Sequence, residues 1–343
     1  MRLGILTGGG DCPGLNAAIR AVVRRASVTY SDDVVGFHYG WEGLVQDDAV
    51  PLDVTTCHGI LPRGGTILAT SRFNPFKSAS DTERIAETLA HRHIDALIAI
   101  GGDGSLRIAR EVSGLGIPVV GIPKTIDNDV NATDSTIGFD TAVQIAVDAI
   151  DRLHTTADSH SRVIVCEVMG REAGWIAVYA GLAGGAAVII APEEPFDIDQ
   201  TCAHLIRRHA KGRSGSVVVI AEGAKPQKGT IDLPTVVLDR YDRERLGGIS
   251  AVVAREIEAR TGFESRVTIL GHQQRGGTPT AADRVLATRF GVAAVDAAHD
   301  GAFGTMVALH AQEIVRVTFD QALGELKLVP RDLIDRVANI FTD

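Results

Sequence analysis

Three polar turns follow apolar runs along this sequence, and each combines groups that can act on a phosphate. They are LTGGGDCPGLN at 6–16, GGDGS at Gly101–Ser105 and PKTIDNDV at Pro123–Val130. Glycines let backbone N–H groups approach an anion closely, and the N-terminus of a following helix adds positive potential. A hydroxyl group that attacks phosphorus must also lose its proton, and a positioned carboxylate can accept it. Each turn is therefore a candidate site for a phosphate or for the proton transfer that accompanies its reactions.

Each turn also has an ordinary structural explanation. The first is neither a Walker A loop, because Leu15 and Asn16 follow Gly14, nor a GxGxxG fingerprint, because Gly14 comes one residue late. The second can be a helix N-cap turn. The third can be an Asx-turn, which is the favoured interpretation of that segment in isolation. Asp103 is nevertheless a natural anchor for Mg²⁺, an ion that binds one or two carboxylates together with phosphate oxygens.

Several arginines lie singly at the ends of apolar runs or in loops, where a planar guanidinium suits a phosphate. They are Arg72, Arg162, Arg171, Arg266 and Arg275. Any one of them is more commonly a solvated surface charge. His272 in GHQQRGG can bind a hydroxyl or phosphate group, although a lone histidine is usually structural.

The elements that must position these groups alternate between short β-branched runs and helical patterns. Strands are predicted at 2–7, 94–100, 117–122, 162–168, 186–191, 216–221 and 266–270. Helices are predicted at 14–27, 82–92, 140–152, 171–183, 197–210, 246–260 and 280–298. Nearly continuous apolar strands alternating with helices indicate parallel sheets in a doubly wound α/β fold. In such folds active sites gather at the carboxyl ends of the strands, where the polar turns lie.

Composition narrows the classes of function. The chain has 343 residues, which predicts two domains, and its formal charge of −9 argues against nucleic acid or membrane as a partner. The four cysteines form no CxxC pair, so a reducing compartment fits best. The N-terminus has no signal-peptide pattern, and we expect a cytoplasmic protein. The charged segment 224–245 is predicted to be a surface excursion.

Taken together, the sequence resembles the phosphofructokinase family over nearly its whole length. The matching segments, in the family's order, are LTGGGDCPGLNAAIRAVVR, RGGTILATSRF, IGGDGS, PKTIDND, EVMGR, AEG, RVTILGHQQRGGTPTAADRVLATRFG and KLVP. GGDGS also resembles NAD kinases and diacylglycerol kinases, whereas TIDND, MGR and GHxQRGG resemble only the sugar-phosphate enzymes. The alternatives are a GGDG-type kinase acting on NAD or a lipid, and a non-catalytic nucleotide sensor.

The resemblance implies a role for each matching position in transferring a phosphoryl group to the 1-hydroxyl of fructose 6-phosphate, a step of glycolysis. The expected catalytic residues are Asp127 as base, Thr125, Arg171 and Arg72. The expected donor-binding residues are Gly9, Gly10, Arg72, Phe73, Gly102, Asp103, Gly104, Ser105 and Lys124, with Asp103 holding Mg²⁺. The expected sugar-phosphate residues are Thr125, Ile126, Asp127, Arg162, Met169, Gly170, Arg171, Glu222, Arg266, His272, Gln273, Gln274 and Arg275.

Two positions bear on the phosphoryl donor. In the family, pyrophosphate users typically combine Asp and Lys at the positions of Gly104 and Lys124, whereas many ATP users have Gly at both. This chain combines Gly104 with Lys124, a mixed signature. A side chain at 104 would intrude on the inner phosphate and ribose of a nucleotide, so the sequence favours ATP, with pyrophosphate as the alternative.

The resemblance also implies the domain organisation and the assembly. It predicts two doubly wound, Rossmann-like three-layer α/β/α domains with mainly parallel sheets. A donor domain is expected at 1–138 plus about 251–305, a sugar-phosphate domain at 139–250 plus about 306–325, and a helical tail at 326–343. Residues matching Arg162 and Arg266 reach a neighbouring subunit in the family, so we expect a homo-oligomer, a tetramer with shared active sites.

A departure from the family concerns regulation. Val54, His154, Ser214 and Gly215 stand where the effector site of bacterial relatives resembles an Arg/Lys/His cluster, although Arg20, Arg24 and Arg213 are available. A phosphate pocket that lacks several cations loses much of its attraction for an anion. The sequence therefore argues against ADP activation and phosphoenolpyruvate inhibition of that type.

Overall fold

The computed structural model describes residues 1–231 and 246–341, with side chains described as far as residue 336. Its strands are β1 (Arg2–Thr7), β2 (Asp33–Phe37), β3 (Ala49–Leu52), β4 (Ala96–Gly101), β5 (Val119–Pro123), β6 (Val163–Val168), β7 (Val188–Ile190), β8 (Ser216–Ala221), β9 (Ser265–Ile269), β10 (Thr305–His310) and β11 (Glu313–Thr318).

The α-helices are α1 (Leu15–Arg25), α2 (Trp41–Gln46), α3 (Ala79–His91), α4 (Asp103–Gly114), α5 (Phe139–His160), α6 (Trp175–Ala183), α7 (Ile198–Ala210), α8 (Ile249–Thr261), α9 (Ala281–His299), α10 (Phe319–Leu323) and α11 (Arg331–Phe341). A π-helical turn at Ala26–Tyr30 and 3₁₀ turns at Pro75–Lys77 and Gly271–Arg275 complete the described elements.

The chain forms two compact units. Unit 1 comprises Met1–Thr141 and Arg275–Lys327, and unit 2 comprises Ala142–Gln274 and Leu328–Asp343. Of the predicted surface excursion at 224–245, residues 232–245 lie outside the described part of the chain.

Unit 1 is built on a seven-stranded sheet in the order β11-β10-β5-β4-β1-β2-β3. Its strands pair in parallel except at the two edges, where β3 and β11 run antiparallel to their neighbours. In β4, Leu97 and Ala99 join a core cluster with α2, α3, α4 and α10, while Ile98 and Ile100 are buried outside that cluster. Because successive side chains point to opposite faces of a sheet, both faces are covered.

Unit 2 contains a four-stranded, wholly parallel sheet in the order β7-β8-β6-β9. One face packs on α7 and α8 through alternate residues such as Val163 and Val165. The intervening Ile164 and Cys166 are buried as well, and α6 packs against β7 and β8. This unit also has helices on both sides of its sheet.

The prediction of doubly wound α/β domains with mainly parallel sheets is confirmed. All seven predicted strands are present, with ends displaced by up to two residues. The prediction missed β2, β3, β10 and β11, which are short or amphipathic strands toward the sheet edges. No helix in residues 1–231 or 246–341 has the length and apolar character of a membrane span.

The predicted division of the second half of the chain differs from the structure. Residues 251–274 belong to unit 2, since α8 covers its sheet and β9 pairs with β6. Residues 306–325 belong to unit 1, since β10 pairs with β5 and extends the larger sheet. The unit to which β9 and β10 belong depends on the strands with which they pair. The residues of β9 and β10 do not by themselves reveal those partners. The predicted helical tail corresponds to α11.

Candidate active site

The three polar turns predicted to act on phosphate lie side by side in unit 1. They follow β1, β4 and β5, which are neighbouring parallel strands. The Gly8 amide donates to the Ile100 carbonyl at 2.9 Å, and the Lys124 amide donates to the Gly101 carbonyl at 2.8 Å. The backbone itself therefore joins the first turn to the second and the second to the third.

The first turn has no room for a side chain at Gly8. A Cβ atom at this position would overlap the Ser105 hydroxyl, which lies at the start of α4 and is 8% exposed. Because Gly8 has no side chain, the turn after β1 and the turn after β4 can approach each other. Gly9 is tied on its other side, because its amide donates to the Ser71 carbonyl at 2.9 Å and its carbonyl accepts from the Thr70 hydroxyl at 2.6 Å.

Lys124 is a fully buried cation beneath the first turn. Its side chain is 2% exposed, and its ammonium group donates to the carbonyl oxygens of Gly8, at 2.9 Å, and Gly10. Burial lowers the pKa of Lys124. Lys124 was predicted to contact the phosphoryl donor. In the structure it contacts the backbone of the first turn, which was also predicted to bind that donor.

Asp103, the predicted metal ligand, begins α4 directly after β4. Its Oδ2 accepts from Nε of Arg107 at 2.8 Å, and both side chains remain partly exposed. Gly104 is exposed, and a Cβ atom there would meet no described atom within 4 Å. The space beside this turn is therefore open.

The third turn holds two carboxylates, those of Asp127 and Asp129. The Asp127 amide donates to the Thr125 hydroxyl at 3.2 Å, and the Thr125 carbonyl accepts from the Thr136 hydroxyl at 2.6 Å. The pKa of Asp129 is raised to about 7, and burial is the largest cause. Repulsion from the Asp127 carboxylate is the second cause, and Asp103 contributes further repulsion. Asp127 and Asp103, which lies in the second turn, are thus within electrostatic range of Asp129. Ile126 is buried.

Lys327 braces this third turn from the distant C-terminal part of unit 1. Its ammonium group donates to Asn128 Oδ1 at 2.8 Å and to the Thr133 carbonyl at 2.7 Å, and its amide donates to the Asp129 carbonyl at 3.0 Å. Burial lowers the pKa of Lys327 to about 8. Lys327 thus holds the loop that carries Asp127.

Three further predicted residues of unit 1 lie beside the first turn. Arg72 and Phe73 follow Ser71, the residue that pairs with Gly9, and Phe73 packs partly into the core. Arg275, predicted among the sugar-phosphate residues, also belongs to unit 1, where its NH1 group donates to the Asp11 carbonyl at 3.2 Å.

The remaining predicted sugar-phosphate residues lie in unit 2, and all except Arg162 and Arg266 follow its parallel strands. Met169–Arg171 follow β6 and Glu222 follows β8, and the Glu222 amide donates to the Val168 carbonyl at 2.8 Å. The segment that contains His272, Gln273 and Gln274 follows β9, where His272 is exposed and Gln274 is buried. Strand pairing brings these three strand ends to one edge of the smaller sheet.

Arg162 and Arg266 share one carboxylate in unit 2. Nε of Arg162 lies 2.8 Å from one oxygen of Glu264, and NH2 of Arg266 pairs with the other oxygen. The hydrogen bond from Arg162 lowers the pKa of Glu264. Glu264 therefore brings together the two arginines that were predicted to act on a neighbouring subunit.

A separate pocket of about 380 Å³ lies in unit 2 beside β7 and α7. None of the site residues predicted from the sequence is among its described lining residues, which include Ile190, Phe196 and His204. This pocket is therefore not the candidate active site.

The sequence-based prediction passed over Arg107, Lys327 and Glu264, which contact or brace predicted site residues. Arg107 had a pairing signal in the sequence, because a base four residues after an acid on a helix lies on the same face. Lys327 appeared only within the matching segment KLVP, with no role assigned to it. Lys327 and Glu264 are ordinary charged residues whose partners are set by the tertiary structure.

Comparisons with known proteins found similar sequences and folds. A family model described as phosphofructokinase matches residues 2–298. The chain is 54% identical over 342 residues to a pyrophosphate–fructose 6-phosphate 1-phosphotransferase of Streptomyces coelicolor, with 99% of this chain and 100% of that protein covered. It is 53% identical over 333 residues to an ATP-dependent 6-phosphofructokinase of Corynebacterium efficiens, with 97% and 96% covered.

A solved structure has the same fold. The phosphofructokinase of Saccharomyces cerevisiae matches 94% of this chain with a TM-score of 0.82 and 32% identity. This chain spans 45% of the length of that one.

Proposed function

Because this chain belongs to the phosphofructokinase family, we propose that it transfers the terminal phosphoryl group of ATP to the 1-hydroxyl of fructose 6-phosphate. The product is fructose 1,6-bisphosphate. The observation that carries the proposal is the contact between the turns after β4 and β5, which bear Asp103 and Asp127. One carboxylate can serve the donor side and the other the acceptor side of the same transfer.

In the proposed reaction Asp127 accepts the proton of the sugar 1-hydroxyl as that oxygen attacks the terminal phosphorus. The new O–P bond forms while the bond from phosphorus to the bridging oxygen breaks, and ADP leaves. Thr125 and Ile126 position the acceptor beside Asp127, and Arg72 and Arg171 stabilise the charge that develops. Phosphoryl transfer needs little covalent help from a protein, so positioning and charge neutralisation are the main contributions.

Mg²⁺ is the proposed cofactor, with Asp103 as its ligand. Asp129 Oδ1 is buried and has no hydrogen-bond partner among the described residues, so the turn retains free carboxylate capacity. The described part of the chain contains no group of three or more His, Cys, Asp or Glu side chains arranged for a metal. These features suit an ion that is held by one or two carboxylates and by donor phosphates, where it would neutralise charge.

ATP is the favoured donor because the space beside Gly104 is open. A nucleotide needs room there for its inner phosphate and ribose, and a Cβ atom would meet no described atom within 4 Å. Pyrophosphate is the second candidate, because Lys124 is retained and the Streptomyces coelicolor relative is named for that donor. An NAD or lipid kinase and a non-catalytic sensor are not proposed, since the family is assigned and both carboxylates are present.

For the sugar phosphate we propose the residues at the strand ends of unit 2 together with Arg275. They are Met169, Gly170, Arg171, Glu222, His272, Gln273 and Gln274. Arg162 and Arg266 would bind the 6-phosphate in a neighbouring subunit, which makes the proposed assembly a homo-oligomer, a tetramer by analogy with the family.

The decisive experiment compares Asp127→Asn with the unchanged protein. We expect kcat to fall about 10²- to 10⁴-fold, as for loss of a general base. Fructose 6-phosphate affinity, measured by calorimetry, should be retained, and Asp134→Asn in the same loop is the matched control. A turnover number near that of the unchanged protein would overturn the base assignment. Initial rates with MgATP and with Mg-pyrophosphate identify the donor.

A further inference from the structure

Arg107 is a cation at the candidate donor site that the proposed mechanism does not use. It lies one helical turn after Asp103 on α4, and its Nε donates to Asp103 Oδ2 at 2.8 Å. The side chain is 38% exposed and that of Asp103 is 27% exposed, so both are accessible to a ligand. The Arg107–Asp103 pair therefore lies at the surface of the turn after β4 rather than in the core.

The position of Arg107 relative to Gly104 is the second observation. Gly104 follows Asp103 directly, is exposed, and has open space where a side chain would begin. Gly104 and Arg107 are three residues apart on α4, so they lie on the same side of the helix. A planar guanidinium with several donors is well suited to a phosphate oxygen.

We propose that Arg107 contacts the inner phosphate of a nucleotide donor and thereby favours ATP over pyrophosphate. The inference rests on the proposed function, in which Asp103 serves the outer phosphates through Mg²⁺. In the proposed complex the guanidinium that pairs with that carboxylate lies about one phosphate group further along the donor. ATP has a third phosphate group at that distance, and pyrophosphate does not.

An exchange of partners makes this contact favourable. Donor binding requires the Asp103 carboxylate for the cation, and the released guanidinium pairs with the inner phosphate, so no charge is left uncompensated. With pyrophosphate, Arg107 has no phosphate to move to and continues to compete for Asp103. The same residue thus assists one donor and hinders the other.

The test measures binding of MgATP and of Mg-pyrophosphate to Arg107→Ala by calorimetry, without fructose 6-phosphate. Loss of the contact should weaken MgATP binding about tenfold, the lower end of what a hydrogen bond to a charged group provides. Pyrophosphate binding should stay the same or become tighter. Arg107→Lys should recover part of the MgATP affinity. Arg110→Ala is the matched control, since Arg110 lies on the same helix and pairs with Asp320 at 3.5 Å.

The outcomes separate this inference from the proposed function. If the unchanged protein neither binds nor uses ATP, the proposed donor is wrong and the inference fails with it. If it uses ATP but Arg107→Ala binds MgATP as tightly as before, the inference alone fails. Equal weakening of both donors would also overturn it, because Arg107 would then act only by holding Asp103.

Discussion

Nζ of Lys124 lies 2.9 Å from the carbonyl oxygen of Gly8 and also donates to that of Gly10. A residue at the end of β5 thereby holds the turn after β1, across the intervening strand β4. The resemblance to phosphofructokinases draws attention to this lysine as a determinant of the donor. Its contacts in this chain indicate that it also fixes the shape of the glycine turn.

Replacement of Lys124 by Met should therefore destabilise the fold as well as reduce activity. The change leaves two carbonyl oxygens without their buried partner, and an unsatisfied buried group costs about 1–3 kcal/mol. Urea unfolding should show a loss of this size, and kcat/KM should fall with either donor. Lys77→Met, at an exposed lysine, is the matched control. Unchanged stability with a defect confined to one donor would mean that Lys124 acts on the donor alone.

Asp129 should make stability depend on pH in an unusual direction. Its folded pKa is raised to about 7 from an ordinary value of 3.8, mainly by burial. Between these two values the folded chain keeps a proton that the unfolded chain has lost, so this group's contribution to stability falls as pH rises. Ionised Asp129 should thus disfavour the folded state above pH 7, by up to about 4 kcal/mol at 1.36 kcal/mol per pKa unit.

Asp129→Asn removes this titration and reveals its size. The free energy of unfolding of the variant, relative to that of the unchanged protein, should rise from pH 5 to pH 7 and then level off. Measuring the difference at each pH cancels any constant effect of the amide, and magnesium is omitted so that no cation binds the carboxylates. A difference that stays constant from pH 5 to pH 8 would contradict the raised pKa.

The features predictable from the sequence are those set by local pattern. The apolar run that became β4 is fully buried, as expected for a parallel strand. Because GGDGS, PKTIDND and the first turn each follow such a run, their gathering at one edge of a sheet followed from the fold class. The neighbouring positions of Asp103 and Asp127 could therefore be anticipated without coordinates.

The long-range contacts that hold the site turns in place could not be predicted from local sequence patterns. Lys124 binds backbone carbonyls, which every residue possesses, so no sequence pattern marks its partners 114 and 116 residues away. Lys327 braces the turn at 128–134 from almost 200 residues along the chain. The assignment of 251–274 and 306–325 to the wrong domains has the same origin, because strand pairing over long separations decides it.

Shared active sites can be tested by mixing two inactive chains. Asp127→Asn removes the proposed base in unit 1, and Arg162→Ala with Arg266→Ala removes the arginines that Glu264 joins in unit 2. Each variant alone should be nearly inactive at low fructose 6-phosphate. If each site combines Asp127 of one subunit with the arginines of another, co-expressed chains should regain activity. When equal amounts of the two chains assemble at random, about a quarter of the sites contain both an intact Asp127 and intact arginines.

The control for this experiment pairs Asp127→Asn with Asp103→Asn, whose altered carboxylates both lie in unit 1 and serve the same site. That mixture should stay inactive, because each site would take both carboxylates from one chain. Sedimentation of each mixture confirms that the chains have assembled. If the first mixture assembles but regains no activity, each subunit supplies its own arginines, and the proposal that Arg162 and Arg266 act on a neighbour must be abandoned.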